Sequence, residues 1–303
     1  MTTVAVVQAT PVFLDRDATT AKSCDLIKEA AANGAALVLF PETFIPAYPD
    51  WVWRLPAWSD GRFTRLLYQE AVTVPGPTTE QLGEAAREAQ AYVAMGVNEL
   101  DGGTLYNTLL YFAPDGSLVG RHRKLMPTGG ERTIWGYGDG STLDVVDTPF
   151  GRIGGLICWE NYMPLARAAM YARGVEIYLA PTWDNADSWL ATLRHIAKEG
   201  RVYVLGVAPV LRGSDVPPAL RGDTYGGDDD WMSRGLGTIV GPGGDVLAGP
   251  VAEQETILYA EVDRTEVIRQ RQLFDPVGHY SRPDVFSLHV DTRPQRPVVF
   301  GDG

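Results

Sequence analysis

Short apolar runs separated by longer amphipathic stretches constrain this 303-residue chain more than any other feature. The run Ala36–Phe40 is wholly apolar and lies between Gly34 and Pro41, which is typical of a strand buried on both faces. The stretch Asp17–Ala32 before it has apolar residues at helical spacing and a Gly stop signal behind it. The same alternation continues along the chain and predicts an α/β protein.

Two hairpins are predicted within this alternation. Residues 107–112 and 118–123 flank the turn 113–116 (Ala-Pro-Asp-Gly), in which Pro presets φ and Gly accepts a positive φ. The Gly-Pro-Gly-Gly sequence within 236–247 predicts a second hairpin. We therefore expect a sandwich of mixed sheets rather than one parallel sheet. Residues 211–231, rich in Gly, Pro and Asp, are predicted to form a surface loop.

Composition excludes several classes of function. Lys and Arg total 26 against 38 Asp and Glu, which gives a net charge of −12. Nucleic acids and anionic membranes bind positive charge, so neither is an expected partner. The chain has two cysteines, Cys24 and Cys158, and four histidines, none of them in a His-x-x-x-His pair. This content favours neither a disulfide framework nor a metal site. With no signal-peptide pattern and no apolar run of about 18 residues, we expect a cytoplasmic protein.

Three residues with reactive side chains follow predicted strands. Glu42 follows the run that ends at Phe40, Lys124 follows the second strand of the first hairpin, and Cys158 follows an apolar strand at 152–157. If these strands are neighbours, a thiol, a carboxylate and an ammonium converge on one pocket. Such a pocket supplies a nucleophile, a proton carrier and a stabiliser of negative charge. Taken singly, each residue has a plainer interpretation: a buried structural cysteine, a solvated turn glutamate and a surface lysine.

No histidine is indicated as the base for the thiol. His195 falls on a predicted helix and His279 lies near the C-terminus, and neither follows a predicted strand. A papain-like Cys–His pair is therefore not supported, and Glu42 and Lys124 are the remaining candidate partners of the thiol.

Longer motifs surround these residues and occur in a fixed order. They are FPETFIPAYP at 40–49, RKLMPT at 123–128, ERTIWGYGDGS at 131–141, CWEN at 158–161 and FDPVGHYSRPDVF at 274–286. Together they resemble the nitrilase superfamily of carbon–nitrogen hydrolases, and within it the nitrilase branch. The resemblance extends from Val4 to about Leu288.

This resemblance implies a fold and a set of partners. The fold is a single-domain, four-layer α-β-β-α sandwich over residues 1–290, with a short C-terminal tail at 291–303. The substrate is a small-molecule nitrile, and no metal or organic cofactor is required. Homo-oligomers are implied as well, as dimers that extend into larger spiral assemblies.

The resemblance also implies residue roles. Cys158 is the expected nucleophile and Glu42 the general base, while Lys124 stabilises tetrahedral intermediates and Glu131 is a second, structural or proton-handling glutamate. Nitrile hydrolysis then passes through a thioimidate and a thioester on Cys158. The residues expected to line the pocket are Tyr48, Thr128, Trp135, Trp159 and Tyr162.

Several alternatives stay open at this point. The same Glu, Lys and Cys serve amidases and carbamoylases, and a non-catalytic protein could retain the fold. A metal hydrolase lacks candidate ligands. Gly129-Gly130 stands where many nitrilases carry His, which alters the pocket beside Glu131. The aromatic residues Trp51, Trp53 and Trp58 form either a pocket wall or packing in the core or a subunit interface. Aliphatic, aromatic and arylacetic nitriles and cyanide all remain candidate substrates.

Overall fold

A computed structural model describes residues 1–222, 224–225, 227–295, 298 and 301 of the chain. In this part of the chain the strands are β1 (Thr2–Gln8), β2 (Ala35–Leu39), β3 (Val72–Thr73), β4 (Tyr92–Asp101), β5 (Thr104–Phe112), β6 (Leu118–Arg123), β7 (Val146–Thr148), β8 (Gly151–Gly155), β9 (Ile177–Pro181), β10 (Tyr203–Val207), β11 (Val210–Arg212), β12 (Trp231–Val240), β13 (Val246–Ala252) and β14 (Thr256–Val262). The α-helices are α1 (Arg16–Ala32), α2 (Gly61–Gln69), α3 (Pro77–Ala89), α4 (Pro164–Ala172), α5 (Asp187–Gly200), α6 (Pro218–Arg221) and α7 (Arg264–Leu273).

The strands form two sheets with similar topology. The first has the order β14-β1-β2-β4-β5-β6, with β3 paired to β4, and the second has the order β11-β12-β10-β9-β8-β7, with β13 paired to β12. Each sheet has a parallel centre, β1-β2-β4 in one and β8-β9-β10 in the other. The strands outside it are antiparallel, except the short β3, which pairs in parallel with β4. The mixed sheets expected from the two hairpins are therefore confirmed.

Side-chain alternation on the strands explains the layers. On β1, Ala5 and Val7 pack against α1 and α3, whereas Val4 and Val6 face the second sheet. On β9, residues 177 and 179 face the first sheet, whereas 178 and 180 pack against α4 and α5. Helices thus cover the outer face of each sheet, and the apolar interface between the sheets is the middle of the molecule. The predicted four-layer α-β-β-α sandwich is confirmed.

The predicted surface loop at 211–231 is only partly correct. Val210–Arg212 is a strand, Pro218–Arg221 is a short helix, and Trp231 begins β12. Leu211, Val216 and Tyr225 are buried against an aromatic cluster that includes Phe13 and Trp51. Gly, Pro and Asp correctly predicted the turns in this stretch. The apolar residues between them pack against the aromatic cluster, and local composition does not reveal this contact. Residues 223 and 226 lie outside the described residues.

Residues 274–295 follow α7 without further helix or strand and run over the surface. The backbone N–H of Gln295 donates to a carboxylate oxygen of Asp139 at 2.7 Å, which attaches the end of this segment beside residues 139–142. The boundary between a domain at 1–290 and a tail at 291–303 stays a prediction. Among the described residues, no helix combines the length and apolar character needed to cross a bilayer.

Candidate active site

Convergence of Glu42, Lys124 and Cys158 was expected if the strands before them were neighbours, and these strands are not neighbours. Two strands, β4 and β5, separate β2 from β6, and β8 belongs to the other sheet. The three side chains approach one another because the chain after β2 crosses close to the middle of β4. There, a Cβ on Gly96 would lie 2.1 Å from the carbonyl oxygen of Pro41, so only glycine permits the crossing.

Lys124 lies between two glutamates in the interior of the protein. Its Nζ is 2.7 Å from Glu42 Oε1 and 2.7 Å from Glu131 Oε2. All three side chains are at most 1 % exposed. Two carboxylates and one ammonium without access to water depend on these contacts, since buried charges are costly unless paired.

The two glutamates differ in how many hydrogen bonds they accept. Both oxygens of Glu131 are occupied: Oε1 accepts from the hydroxyl of Tyr48 at 2.6 Å, and Oε2 accepts from Lys124 and from the N–H of Thr128 at 2.6 Å. Glu42 Oε1 accepts from Lys124 and from Asn107 Nδ2, each at 2.7 Å. Glu42 Oε2 is buried and has no hydrogen-bond donor among the described residues. Glu42 therefore retains a free acceptor, which a base requires, whereas Glu131 is held in place.

Cys158 begins a short 3-10 turn directly after the end of β8. Its backbone adopts a positive φ of 53°, an unfavourable conformation for a residue with a side chain, with a cost of about 1–3 kcal/mol. Asn161 stabilises the turn, since its Nδ2 donates to the carbonyl oxygens of Leu156 and Cys158 at 2.9 Å. The turn holds the thiol in a defined direction, where it lines the cavity described below.

Thr182, at the end of β9, contacts the cysteine directly. Its Oγ1 lies 3.1 Å from Cys158 Sγ, and the same oxygen accepts the backbone N–H of Asp184 at 2.9 Å. Because an N–H already occupies an acceptor position of Oγ1, the hydroxyl proton is free to point at the sulfur. The hydroxyl thus favours negative charge on Sγ.

Burial determines the protonation states of the cluster. It raises the pKa of Glu42, and the charge of Glu131 adds to this rise while Lys124 opposes it. Burial and the Glu42 charge also raise the pKa of the Cys158 thiol far above its usual range. Burial disfavours charge on Lys124 as well, but Glu42 and the other anionic groups outweigh it and raise the pKa of the ammonium. At neutral pH the cluster therefore holds a neutral thiol and a charged lysine, so a nucleophilic sulfur needs a base.

A cavity of about 820 Å³ opens onto these groups. Its described lining residues are Tyr48, Trp53, Thr128, Gly129, Glu131, Cys158, Trp159, Trp183, Asp184, Asn185, Ala186 and Arg234. Four of these residues are aromatic, and the surface of the wall is mostly apolar, so the cavity favours a substrate whose body is apolar.

Three of the residues expected to line the pocket, Tyr48, Thr128 and Trp159, lie in the cavity wall. The other two do not contribute to the described lining. Trp135 is buried behind Tyr48, with ring centroids 5.6 Å apart in an edge-to-face arrangement, and so supports the wall from outside. Tyr162 is about half exposed, and its hydroxyl is 2.8 Å from Thr192 Oγ1 on α5.

The three tryptophans near Glu42 have three different environments. Trp51 is fully buried in the core, Trp58 is almost fully exposed, and Trp53 lines the cavity and donates to the Tyr48 hydroxyl at 3.0 Å. A Cβ on Gly129 would lie 3.0 Å from the Trp53 ring. The Gly129-Gly130 pair thus leaves the space that the Trp53 ring occupies.

Sequence reasoning missed several residues of the site. Asn107 is a polar residue inside an apolar strand, and Thr182 follows β9 as the other candidates follow their strands, so both carried a readable signal. Trp183 stacks on Tyr48 with ring centroids 4.4 Å apart, and Arg234 reaches the cavity from β12. Their placement depends on the packing of the two sheets, which the sequence pattern does not specify.

Comparison with known proteins agrees with this arrangement. Residues 3–272 match the carbon-nitrogen hydrolase family. The chain is 52 % identical to an aliphatic nitrilase of Sinorhizobium fredii (strain HH103), with 97 % of each protein covered. It is 46 % identical to the bifunctional nitrilase/nitrile hydratase NIT4A of Lupinus angustifolius, covering 97 % of this chain and 87 % of that protein.

The fold is shared with solved structures as well. The crystal structure of a carbon-nitrogen hydrolase from Helicobacter pylori G27 superposes with a TM-score of 0.75 at 20 % identity, covering 94 % of this chain and 96 % of that chain. The family match, the two relatives and the shared fold all lead to one assignment. The chain belongs to the carbon-nitrogen hydrolase family.

Proposed function

We propose that this protein is a nitrilase, which hydrolyses an organic nitrile to the carboxylic acid and ammonia with Cys158 as the nucleophile. The observation that carries the proposal is the free oxygen of Glu42, buried beside Lys124 in the cluster next to the cysteine. The names of the Sinorhizobium and Lupinus relatives support nitrile rather than amide as the substrate.

The first half of the reaction forms a thioimidate. Glu42 takes the proton of the Cys158 thiol, and Sγ attacks the nitrile carbon. A C–S bond forms, one π bond of the C≡N group breaks, and its electron pair on nitrogen accepts the proton from Glu42. The Lys124 ammonium stabilises the negative charge that develops, which is the largest contribution in many such steps.

The second half consumes two water molecules. Glu42 activates the first, which adds to the thioimidate carbon and gives a tetrahedral intermediate. Glu42 passes the proton of this water to the nitrogen. As the C–N bond breaks, Glu42 also transfers the hydroxyl proton of the intermediate to the same nitrogen, so that ammonia leaves and a thioester remains. A second water hydrolyses the thioester, which releases the carboxylic acid and restores the thiol.

Amide hydrolysis by the same residues is the second candidate function. The test is a side-by-side assay of ammonia release from matched nitriles and amides, such as 3-phenylpropionitrile and its amide, with the products identified by mass spectrometry. A nitrilase gives the acid from the nitrile at the higher kcat/KM. A clear preference for the amide would replace our proposal by an amidase.

We also propose that the protein is a homo-oligomer, a dimer or a larger assembly. Residues 281–295 are almost entirely exposed, and they carry Val285 and Phe286, which are 56 % and 78 % exposed. Exposed apolar side chains of this kind are stabilised when a second copy of the chain covers them. Light scattering on the full chain should give at least twice 33.0 kDa, and Phe286→Asp should reduce it. A monomeric full chain would contradict this proposal.

We also propose a cytoplasmic location, which suits the proposed chemistry. A thiol nucleophile must stay reduced, which the cytoplasm ensures. Cell fractionation should recover the nitrilase activity with cytoplasmic markers, and recovery with secreted proteins would contradict this location.

A further inference from the structure

A buried histidine and a buried glutamate lie behind the proposed catalytic residues and have no part in the mechanism above. His122 is on β6, two residues before Lys124, and Glu160 is in the 3-10 turn, two residues after Cys158. Both side chains have an exposed fraction of 0 %. His122 Nε2 lies 3.0 Å from Glu160 Oε2 and 3.2 Å from Oε1.

The hydrogen bonds of His122 define its charge. Nδ1 is 3.0 Å from the carbonyl oxygen of Thr142, which can only accept, so Nδ1 carries a proton. Nε2 faces the carboxylate of Glu160 and donates to it when the ring is an imidazolium. Burial disfavours that charge, but Glu160 outweighs it and raises the pKa of His122.

Glu160 also binds two backbone N–H groups. One oxygen accepts from the N–H of Leu125, the residue after Lys124, and the other accepts from the N–H of Ile157, the residue before Cys158, at 2.7 Å. Three donors, these two N–H groups and His122 Nε2, therefore surround the Glu160 carboxyl group. A single carboxyl group therefore links the backbone that follows β6 of the first sheet, beside the lysine, to the backbone that follows β8 of the second sheet, beside the cysteine.

We propose that His122 and Glu160 are a positioning pair that sets the distance and direction between the Lys124 ammonium and the Cys158 thiol. Neither residue is part of the described cavity lining. It acts on the catalytic geometry by linking the two loops and by holding the cysteine turn in its unfavourable positive φ. The inference rests on the proposed function, since Lys124 and Cys158 must carry the reaction for their separation to matter.

Glu160→Gln is the test variant. Glutamine offers one acceptor oxygen where glutamate offers two, so its NH₂ group must face one of the backbone N–H groups and the link is broken. We expect kcat for the nitrile to fall about 10²-fold with KM within about threefold, as for a misplaced catalytic group. His122→Gln keeps one donor toward Glu160 and loses the charge, so its kcat should lie between those of wild type and Glu160→Gln.

Glu176→Gln is the matched control. Glu176 is also a buried carboxylate that accepts a backbone N–H, from Arg152 at 3.0 Å, and pairs with Arg264 at 2.8 Å, but it lies at the opposite end of β8 and β9. Its loss should lower the Tm as Glu160→Gln does and leave kcat within twofold of wild type.

Alkylation by iodoacetamide, followed by peptide mass mapping, provides a readout that does not need the substrate. Glu160→Gln should slow the alkylation of Cys158 about tenfold, in step with the loss of its reactive geometry. Cys24 on α1 is an internal control, because its rate changes only if the whole protein loosens.

Two results would overturn the proposal: a kcat for Glu160→Gln within twofold of wild type, or a decrease in kcat that Glu176→Gln reproduces. If Glu160→Gln does not fold, the same two results for His122→Gln, a kcat within twofold of wild type or a decrease that Glu176→Gln reproduces, would overturn the proposal. Failure of both variants to fold would also overturn it, since the pair would then serve the fold alone. Failure of the proposed function has a different signature, which is wild-type turnover by Cys158→Ala.

Discussion

The ammonium of Lys124 lies 2.7 Å from an oxygen of Glu42 and is also the partner of Glu131, so one buried cation holds two buried carboxylates. The lysine therefore serves stability and, in the mechanism proposed above, catalysis. The two contributions can be separated by experiment because they are measured differently.

Lys124→Met should abolish turnover, with a loss in kcat of at least about 10³-fold, because no positive charge remains to stabilise the intermediates. It should also lower the free energy of unfolding by about 3–5 kcal/mol, because two buried carboxylates lose their partner. Urea unfolding and ammonia release measure the two effects. Lys28→Met is the control: Lys28 pairs with Glu88 on the surface at 3.0 Å, and its loss should leave the free energy of unfolding almost unchanged. Equal stability of the two variants would contradict the buried pairing.

The pH dependence of kcat/KM should report the environment of Glu42. The base must be ionised, so the rate falls as the pH drops through the raised pKa of the carboxyl group. The midpoint of this acidic limb should lie above about 4.3, the usual value for glutamate. Since Glu42, Lys124 and Glu131 interact, the midpoint belongs to the cluster. On the alkaline side, Lys124 has a raised pKa and therefore stays charged near pH 9. Loss of the lysine charge should therefore not lower the rate there. An acidic limb with its midpoint at or below the ordinary pKa of glutamate would contradict a Glu42 carboxyl group whose pKa is raised by burial.

Thr182→Val should lower kcat about tenfold with little change in KM. The variant removes the hydroxyl that lies 3.1 Å from Cys158 Sγ while it keeps the shape of the side chain. Without this donor the thiolate is less stable, so alkylation of Cys158 by iodoacetamide should slow as well. Thr182→Ser keeps the hydroxyl and should retain most of the activity. If the Val variant were as active as the Ser variant, the Thr182 hydroxyl would have no part in catalysis.

Trp53→Ala should raise KM for aromatic nitriles about tenfold and affect small aliphatic nitriles less. The indole of Trp53 forms part of the cavity wall and donates to Tyr48, so its loss removes contact area from a bulky substrate. Trp58→Ala is the matched control, because Trp58 is 93 % exposed and is not part of the described cavity lining. Equal effects of the two substitutions on KM would contradict the assignment of Trp53 to the substrate wall.

The catalytic candidates could be predicted from sequence because each follows a predicted strand. Glu42, Lys124 and Cys158 stand at strand ends, and strand ends meet at the open edges of sheets. The reason first given for their convergence, neighbouring strands, was wrong: β4 and β5 intervene, and the close crossing at Gly96 brings Glu42 to the cluster.

Contacts distant in sequence could not be predicted in this way. His122 and Glu160 are 38 residues apart, one on β6 of the first sheet and the other in the 3-10 turn after β8 of the second, and no periodicity or local propensity relates them. The same holds for Arg234, which joins the cavity from β12. Burial at Leu211 and Val216 was missed because turn residues surround them, and only the aromatic cluster beneath explains their position.

Intact-protein mass spectrometry of a reaction stopped in acid tests the proposed chemistry most directly. During turnover of 3-phenylpropionitrile, wild-type protein should carry the mass of the thioimidate or thioester, and peptide mapping should locate it on Cys158. Cys158→Ala should carry no adduct and release no ammonia, while its circular dichroism spectrum matches wild type. An adduct on another residue, or undiminished ammonia release from Cys158→Ala, would contradict the assignment of Cys158 as the nucleophile.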